Sequence, residues 1–146
     1  MTFHYGIDTE PTWSRNGKHI LFTSNRSGSP QIYEMNVSSG RIKRKTFEGS
    51  YNARGRYLSD GRNIVLIHRR EDLFHVAIQN LRNGKLTVLT DTSLDESPTI
   101  SPNGNVIIYA TKKNDKGILS GITIDAKTKF ILPSMIGEVR EPAWSP

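Results

Sequence analysis

Apolar and polar residues alternate in short runs along most of this chain, which is the pattern of β-strands with two different faces. In one such run Ile20 and Phe22 point to one side, and Leu21 and Thr23 point to the other. Turn residues follow or precede each run, and Asn16-Gly17 is the strongest short hairpin signal. No segment keeps an apolar period of 3.6 residues, so the sequence predicts an all-β chain in which helix is rare.

The strands and turns return at a fixed interval. A column of large apolar residues recurs 44, 43 and 44 residues apart, at Trp13, Tyr57, Ile100 and Trp144. A column of turn glycines recurs 44 and 43 residues apart, at Gly17, Gly61 and Gly104. A period near 40 to 45 residues with four short strands per unit is typical of a β-propeller blade. Within the first column, Trp13, Tyr57 and Ile100 are therefore expected between blades, where large side chains bury much area.

The period divides residues 1–146 into three complete blades of four antiparallel strands, over about 11–48, 55–91 and 98–133. The first strands are expected to begin near Pro11, Gly55 and Pro98, and the fourth strands of the first two blades are expected over Arg41–Phe47 and Lys85–Thr90. Residues 1–4 match the end of a preceding blade, and 142–146 match the first strand of a following one. Propellers typically close with four to eight blades, so three complete blades predict an arc of a larger ring with apolar faces at its ends.

Composition narrows the classes of function. The 146 residues include no cysteine, which excludes disulfides, thiol nucleophiles and thiolate metal sites. The sequence contains no run of 18 apolar residues, which a membrane-spanning helix would need. Its first residues lack the features of a signal peptide. Twenty Lys and Arg against fourteen Asp and Glu give a net charge of +6. The basic residues are spread over turns and one outer strand, so we expect a solvated surface. Nucleic-acid binding, with its steep salt dependence, is the weaker alternative.

Catalytic motifs are absent from the sequence. It has no nucleophile elbow, no phosphate-binding loop, no zinc-protease motif and no Asp-rich calcium loop. The histidines stand at unrelated places in the repeat, namely His4, His19, His68 and His75. We therefore expect no enzyme site in this chain. The enzymatic alternative is a propeller that gates a serine peptidase of the prolyl-oligopeptidase type, and sequence beyond Pro146 would decide it.

Polar residues concentrate where the fourth strand of one blade is joined to the first strand of the next. In up-and-down blades these links surround the mouth of the central channel. The mouth would carry Asp8, Glu10, Asp95, Glu96 and Glu141, with Arg54 and Arg140 among them. A basic outer zone would carry Arg26, Arg69, Arg70, Lys112 and Lys113. Such a mouth can dock a partner or hold a hard cation, or its polar residues simply cap strand ends.

Particular stretches resemble one family. Pro11-Thr12-Trp13-Ser14 with Asn16-Gly17-Lys18 is similar to the TolB-type propeller repeat, as is Pro142-Ala143-Trp144-Ser145-Pro146. The longer stretches 46–50, 88–98 and 140–146 are similar to the same family, and the resemblance extends from Thr2 to Pro146. The second copy departs from the pattern, because Gly55-Arg56-Tyr57-Leu58-Ser59 replaces Pro-x-Trp-Ser-Pro. The start of that strand is therefore left open.

The resemblance implies an arc of a six-bladed propeller from the Gram-negative periplasm, acting without catalysis in the Tol–Pal envelope-integrity system. In this family the channel mouth binds the peptidoglycan-associated lipoprotein Pal, and colicin translocation segments compete there. Pal would tie the protein to the outer membrane peripherally, and contacts with other Tol proteins would lie in parts outside this chain. No cofactor is expected, although calcium in the channel would suit the family. Nucleic acid is not an expected partner.

We expect the partner to contact polar residues of the inter-blade links. These are Thr9, Glu10, Asn52, Arg54, Asp95, Glu96, Ser97, Arg140 and Glu141. Each would offer a hydrogen bond or a charge from a preformed loop on a rigid scaffold.

Overall fold

The computed structural model describes residues 5–133 and 139–144, which form twelve strands and no helix. The first sheet contains β1 (Asp8–Trp13), β2 (His19–Ser24), β3 (Gln31–Asn36) and β4 (Ile42–Arg44). The second contains β5 (Asn52–Tyr57), β6 (Asn63–Arg70), β7 (Leu73–Asn80) and β8 (Leu86–Val88). The third contains β9 (Glu96–Ile100), β10 (Val106–Lys113), β11 (Lys116–Thr123) and β12 (Lys129–Leu132).

Each sheet is an antiparallel meander in which the strands lie side by side in chain order. Local turn chemistry produces this order. Gly17 takes a φ of 67°, which suits glycine, and its N–H donates to the carbonyl of Ser14 at 2.9 Å. The predicted all-β fold with four-stranded antiparallel blades is confirmed. We call the three sheets blades 1, 2 and 3. None of the described segments is a helix that could span a membrane.

The innermost strands begin earlier than the sequence predicted. β1 begins at Asp8, β5 at Asn52 and β9 at Glu96, because each strand continues upstream through a β-bulge. In β1, Thr9 pairs with Thr23 and Thr12 pairs with Leu21, so two residues oppose one on β2. A bulge frees a backbone N–H from the ladder and so tolerates the proline that suggested a strand start.

Other boundaries also differ. The outer strands β4 and β8 cover three residues each, where the sequence predicted Arg41–Phe47 and Lys85–Thr90. Residues 139–144 form no strand, although 142–146 were expected to begin one, since a strand needs a hydrogen-bonded neighbour and no described segment pairs with them. The expected blade end at 1–4 lies outside the described residues, as do 145 and 146.

The core lies between the blades. Alternation along β6 sends Ile64 and Leu66 towards blade 1 and Val65 and Ile67 towards blade 3, so both faces of blade 2 are buried. The cluster between blades 1 and 2 contains Leu21, Ile32, Ile64, Leu66 and Ala77. The cluster between blades 2 and 3 contains Val65, Ile67, Val76, Leu89, Ile107, Tyr109 and Ile122. Burying one such aliphatic side chain contributes about 1.5–3 kcal/mol, so these clusters hold neighbouring blades together.

The column of large apolar residues lies partly between blades. Tyr57 packs against the cluster between blades 1 and 2, and Ile100 packs against the next one, as expected. Trp13 and Trp144 are exposed, at 59% and 38%. Gly55 keeps the same bulge as the other copies. A side-chain carbon added there would lie 3.1–3.3 Å from Ile32, so close packing between blades explains the missing proline.

Candidate partner-binding site

The backbone takes a left-handed conformation at the same point of every repeat. The residues are Glu10, Arg54, Ser97 and Glu141, with φ of 57°, 57°, 54° and 50°. Three of them lie in the bulges of the innermost strands, so the structure corrects the prediction that they belong to linking loops. This conformation costs roughly 1–3 kcal/mol for a residue with a side chain and persists only where surrounding contacts fix it.

Those contacts run from one bulge to the next. A carboxylate oxygen of Glu10 accepts from the backbone N–H of Arg54 at 3.1 Å and from Thr23 Oγ1 at 2.9 Å. Arg54 Nε lies 3.1 Å from the other oxygen of Glu10. Arg54 Nη1 donates to Ser97 Oγ at 2.6 Å and lies 3.7 Å from Glu141 Oε1. One guanidinium therefore connects the left-handed residues of all four repeats and organises the mouth.

The position just before each bulge differs in exposure. Thr9 and Arg140 are exposed there, Glu96 is half-buried, and Ala53 is buried in the second copy. The bulge residues Glu10 and Arg54 keep about a third of their side chains exposed, at 32% and 33%. The accessible polar groups at the mouth are therefore Thr9, Glu10, Arg54, Glu96, Arg140 and Glu141.

Two predicted contact residues lie inside the protein instead. Asn52 is fully buried, and its amide donates to Gln31 Oε1 at 2.9 Å and to the carbonyl of Glu48 at 2.7 Å. Its Oδ1 lies 2.9 Å from His68 Nδ1. Asp95 is 2% exposed. Because both are enclosed and hydrogen-bonded internally, they hold the start of an innermost strand in place.

Asp95 and two threonines form the corresponding anchor of blade 3. The carboxylate of Asp95 accepts from the hydroxyls of Thr90 and Thr92 and from the N–H of Val76. One blade earlier, Thr46 donates to Gln31 Oε1 at 2.7 Å. The sequence carries a signal for this role, since Thr46 and Thr90 stand 44 residues apart, but the signal does not say what the threonines bind.

In exposure, Ser97 is intermediate between the accessible residues of the mouth and the enclosed residues Asn52 and Asp95. It is 9% exposed and is reached by the guanidinium of Arg54, so it supports Arg54 from below the surface. Ser97 therefore positions the side chain of Arg54.

A pocket of about 300 Å³ opens at the mouth between blades 2 and 3. Its apolar lining is Tyr51, Ile67, Phe74 and Leu94, and its charged lining is Arg54, Asp95, Glu96, Lys112 and Arg140. The rings of Tyr51 and Phe74 meet edge to face with centroids 5.2 Å apart. Burial, with the Glu10 carboxylate adding to it and Arg54 opposing it, raises the pKa of the Tyr51 hydroxyl, which therefore stays neutral. The pocket can receive an apolar side chain beside charged groups.

Sequence reasoning missed the apolar part of this pocket. Tyr51 and Leu94 occupy the same position in successive repeats, directly before Asn52 and Asp95, which is the signal that could have indicated them. Phe74 lies on β7, away from this position of the repeat, and no local sequence pattern indicated that it would line a pocket. The main chain joins these parts, since the N–H of Asp95 donates to the carbonyl of Phe74 at 3.0 Å.

The basic outer zone is largely engaged in internal contacts. Arg26 donates to both oxygens of Asp8, at 2.8 and 3.0 Å, and its guanidinium lies over the rings of Phe22 and Tyr33. Arg69 pairs with Asp72, and Arg70 Nε lies 3.7 Å from Glu71. Lys112 is the member of the zone that reaches the pocket.

The described part of the mouth does not match a calcium site. No group of three or more His, Cys, Asp or Glu side chains converges there in a way that could hold a metal ion. Asp8 is paired with Arg26, Glu10 with Arg54, and Asp95 is occupied by hydroxyl donors. A cation would have to displace these partners before it could bind.

Comparison with known proteins agrees with this architecture. Residues 1–146 match the family model described as the TolB beta propeller domain. The Tol-Pal system protein TolB of Pseudomonas aeruginosa is 46% identical over 102 residues, covering 68% of this chain and 24% of that protein. The protein of the same name from Nitrosospira multiformis is 49% identical over 117 residues, covering 78% of this chain and 27% of its own.

A solved structure gives the same result in three dimensions. The crystal structure of TolB from Acinetobacter baumannii superimposes with a TM-score of 0.90 at 50% identity, covering 99% of this chain and 36% of that one. The chain spans about a quarter of the length of the curated relatives that it matches. A family model that covers all 146 residues, together with these relatives, shows that the chain belongs to the TolB β-propeller family.

Proposed function

We propose that this chain is part of a non-catalytic scaffold that binds the lipoprotein Pal at the channel mouth, in the periplasm. Its relatives carry the name Tol-Pal system protein, which supports a role with other components of that system. The observation that carries the proposal is the linked row of bulge residues, in which Arg54 ties Glu10, Ser97 and Glu141 together beside an apolar pocket.

This arrangement suits binding because the contact groups are fixed before a partner arrives. A site whose side chains are already held loses less conformational entropy on association. Charged groups around an apolar pocket also resemble the usual anatomy of a hot spot with a polar rim. Colicin translocation segments, the second expected ligand, would occupy the same mouth and compete with Pal.

Charge reversal tests the proposal at residues of the mouth that solvent reaches. We expect Glu96→Lys or Arg140→Glu to weaken binding of Pal to the whole protein about tenfold, which corresponds to about 1.4 kcal/mol. Isothermal titration calorimetry measures this directly. Arg15→Glu is the matched control, because Arg15 is an exposed cation in the β1–β2 turn at the opposite end of the blade.

The result can contradict the proposal in two ways. Unchanged affinity in both mouth variants removes the mouth as the binding surface. An equal loss in Arg15→Glu assigns the effect to overall charge. Glu10 is a poor choice for reversal, because it also holds the backbone and guanidinium of Arg54.

The peptidase alternative has no support in this chain. It needs a catalytic domain with a nucleophile elbow outside residues 1–146, and the curated relatives from Pseudomonas aeruginosa and Nitrosospira multiformis are named for the Tol-Pal system. Activity of the whole protein against peptide substrates, abolished by a serine-directed inhibitor, would revive it.

A further inference from the structure

A second cleft lies on blade 1, at the end of the blade away from the mouth. It measures about 470 Å³ and is lined by His19, Glu34, Asn36, Ser39, Arg41 and Lys43, which we call the blade 1 cleft. Strand pairing places these residues on one face, since His19 is opposite Asn36 and Glu34 is opposite Lys43. Glu34 reaches Tyr57 on β5, so this face turns towards blade 2.

The fold does not require a charged residue at Glu34 or at its neighbour Lys45. One repeat later, Glu34 corresponds to Ile78 and Lys43 to Thr87, and these two are paired in the same way. Lys45 corresponds to Leu89. Ile78 and Leu89 pack in the cluster between blades 2 and 3. At these two positions the blade face is therefore closed by apolar side chains in blade 2 and carries charged ones in blade 1, while the other positions of the cleft are polar in both copies.

Internal partners satisfy the acidic residue of the cleft. One oxygen of Glu34 accepts from the Tyr57 hydroxyl at 2.8 Å, and the other lies 3.2 Å from Lys45 Nζ. Burial and the bond to Glu34 raise the pKa of Tyr57, which keeps it protonated as the donor. Arg41 and Lys43, by contrast, have no acidic partner within ion-pair distance among the described residues. The cleft thus carries two uncompensated positive charges.

Neutral donors stand beside these charges in a fixed orientation. Asn36 Oδ1 accepts from the Ser39 N–H and the Ser39 hydroxyl, each at 2.9 Å, and from Ser38 Oγ at 2.8 Å. These bonds direct the amide nitrogen of Asn36 towards the cleft, where it lies 3.4 Å from His19 Nε2. An amide donor, a guanidinium and an ammonium around one open cavity complement the oxygens of a phosphate group.

We propose that the blade 1 cleft binds a phosphate group, with Arg41 and Lys43 as the charged ligands and Asn36 as the neutral donor. The cleft is open to solvent, so it can take free phosphate or the phosphate of a lipid headgroup. This site lies away from the mouth and does not depend on the binding of Pal.

The test uses the whole protein and two probes. The first is inorganic phosphate, titrated at constant ionic strength while NMR follows the side-chain amide of Asn36. The second is vesicles of phosphatidylcholine with or without phosphatidylglycerol, assayed by co-sedimentation. We expect saturable binding in at least one arm, and the arm that responds identifies the source of the phosphate.

A double variant and its control assign the binding to the cleft. Arg41→Gln with Lys43→Thr removes both charges and gives position 43 the residue of blade 2, and we expect binding at least tenfold weaker. Arg82→Gln with Lys85→Gln removes two charges from exposed positions of blade 2 and should change affinity less than twofold. Absence of saturable binding in both arms, or an equal loss in the control, overturns the proposal.

Discussion

The two interfaces between blades are built from the same repeat but close in different ways. Between blades 2 and 3, apolar side chains continue to the outer edge, where Ile78 and Leu89 complete the cluster. Between blades 1 and 2, blade 2 supplies the apolar outer-strand residues Leu86 and Val88, but blade 1 carries Glu34 and Lys45 at the positions of Ile78 and Leu89. Glu34, Lys45 and the Tyr57 hydroxyl then form a polar link, and Gln79 donates to the carbonyl of Lys45.

This difference distinguishes the positions at which the propeller requires an apolar residue from those that also accept a charged one. The apolar inner rows occur in both interfaces, so they hold the blades together. The outer row can be apolar or charged, because side chains there satisfy one another at the edge of the core. A polar outer row makes the first interface open and basic. Changes at the second interface should therefore affect stability most.

The largest effect is expected in the apolar interface. Ile107 is fully buried between blades 2 and 3, and Ile107→Ala removes its packing and leaves a cavity. We expect the free energy of unfolding to fall by about 2–5 kcal/mol, as measured by urea denaturation. Ile107→Val, which removes one methylene, should cost about 0.5–1.5 kcal/mol. Equal losses in the two variants would contradict a close-packed site.

A smaller effect is expected in the polar link. The side chains of Lys45 and Glu34 are 19% and 17% exposed, so removing one leaves the other poorly compensated. We expect Lys45→Leu alone to cost about 1–2 kcal/mol, below the range for fully buried pairs because some exposure remains. Denaturation of the purified variants measures this.

The double variant makes this comparison sharper. Glu34→Ile with Lys45→Leu gives blade 1 the residues of blade 2 at both positions, and replacing a buried pair by apolar residues is often neutral or stabilising. Stability within about 1 kcal/mol of the parent is therefore expected, despite the loss in the single variant. Additive losses would show that the outer rows of the two blades are not interchangeable.

Because the sequence repeats, much of this fold could be predicted from it. Strand alternation and turn glycines are local signals, and a period of 44 or 43 residues aligns them, so sheet type and strand order could be predicted. The bulge could not, because Pro11 suggests the start of a strand and a left-handed Glu10 has no sequence signature. Its conformation depends on contacts with the next blade.

The site was harder to predict than the fold. Polar residue type suggested exposure for Asn52 and Asp95, yet buried hydrogen-bond partners from other strands enclose both. The pocket at the mouth joins Tyr51, Phe74 and Lys112, which come from separate parts of the chain. Only the packing of blades brings these residues together, so the spacing of residues in the sequence could not reveal the pocket.

The smallest effect is expected in the pH dependence of the stability, and it is the effect most specific to the interface between blades 1 and 2. His68 and His75 are buried opposite each other on β6 and β7, and the blade 3 position equivalent to His68 is Thr111. Burial lowers the pKa of His68, with His75 and Arg70 acting in the same direction and Glu48 opposing them.

The sign of the expected change depends on this lowered pKa. The folded state releases the proton of His68 more readily than the unfolded chain, whose imidazole has a pKa near 6.5. The stability contributed by the neutral ring is therefore complete above about pH 6.5 and is lost as the pH falls towards the lower, folded pKa. We expect the urea midpoint to decrease between pH 7 and pH 5, and to decrease less in His68→Gln, which retains a donor for Asn52. A pH profile unchanged by His68→Gln would assign the dependence to other groups, because the substitution removes this proton-binding site while leaving the apolar interface between blades 2 and 3 intact.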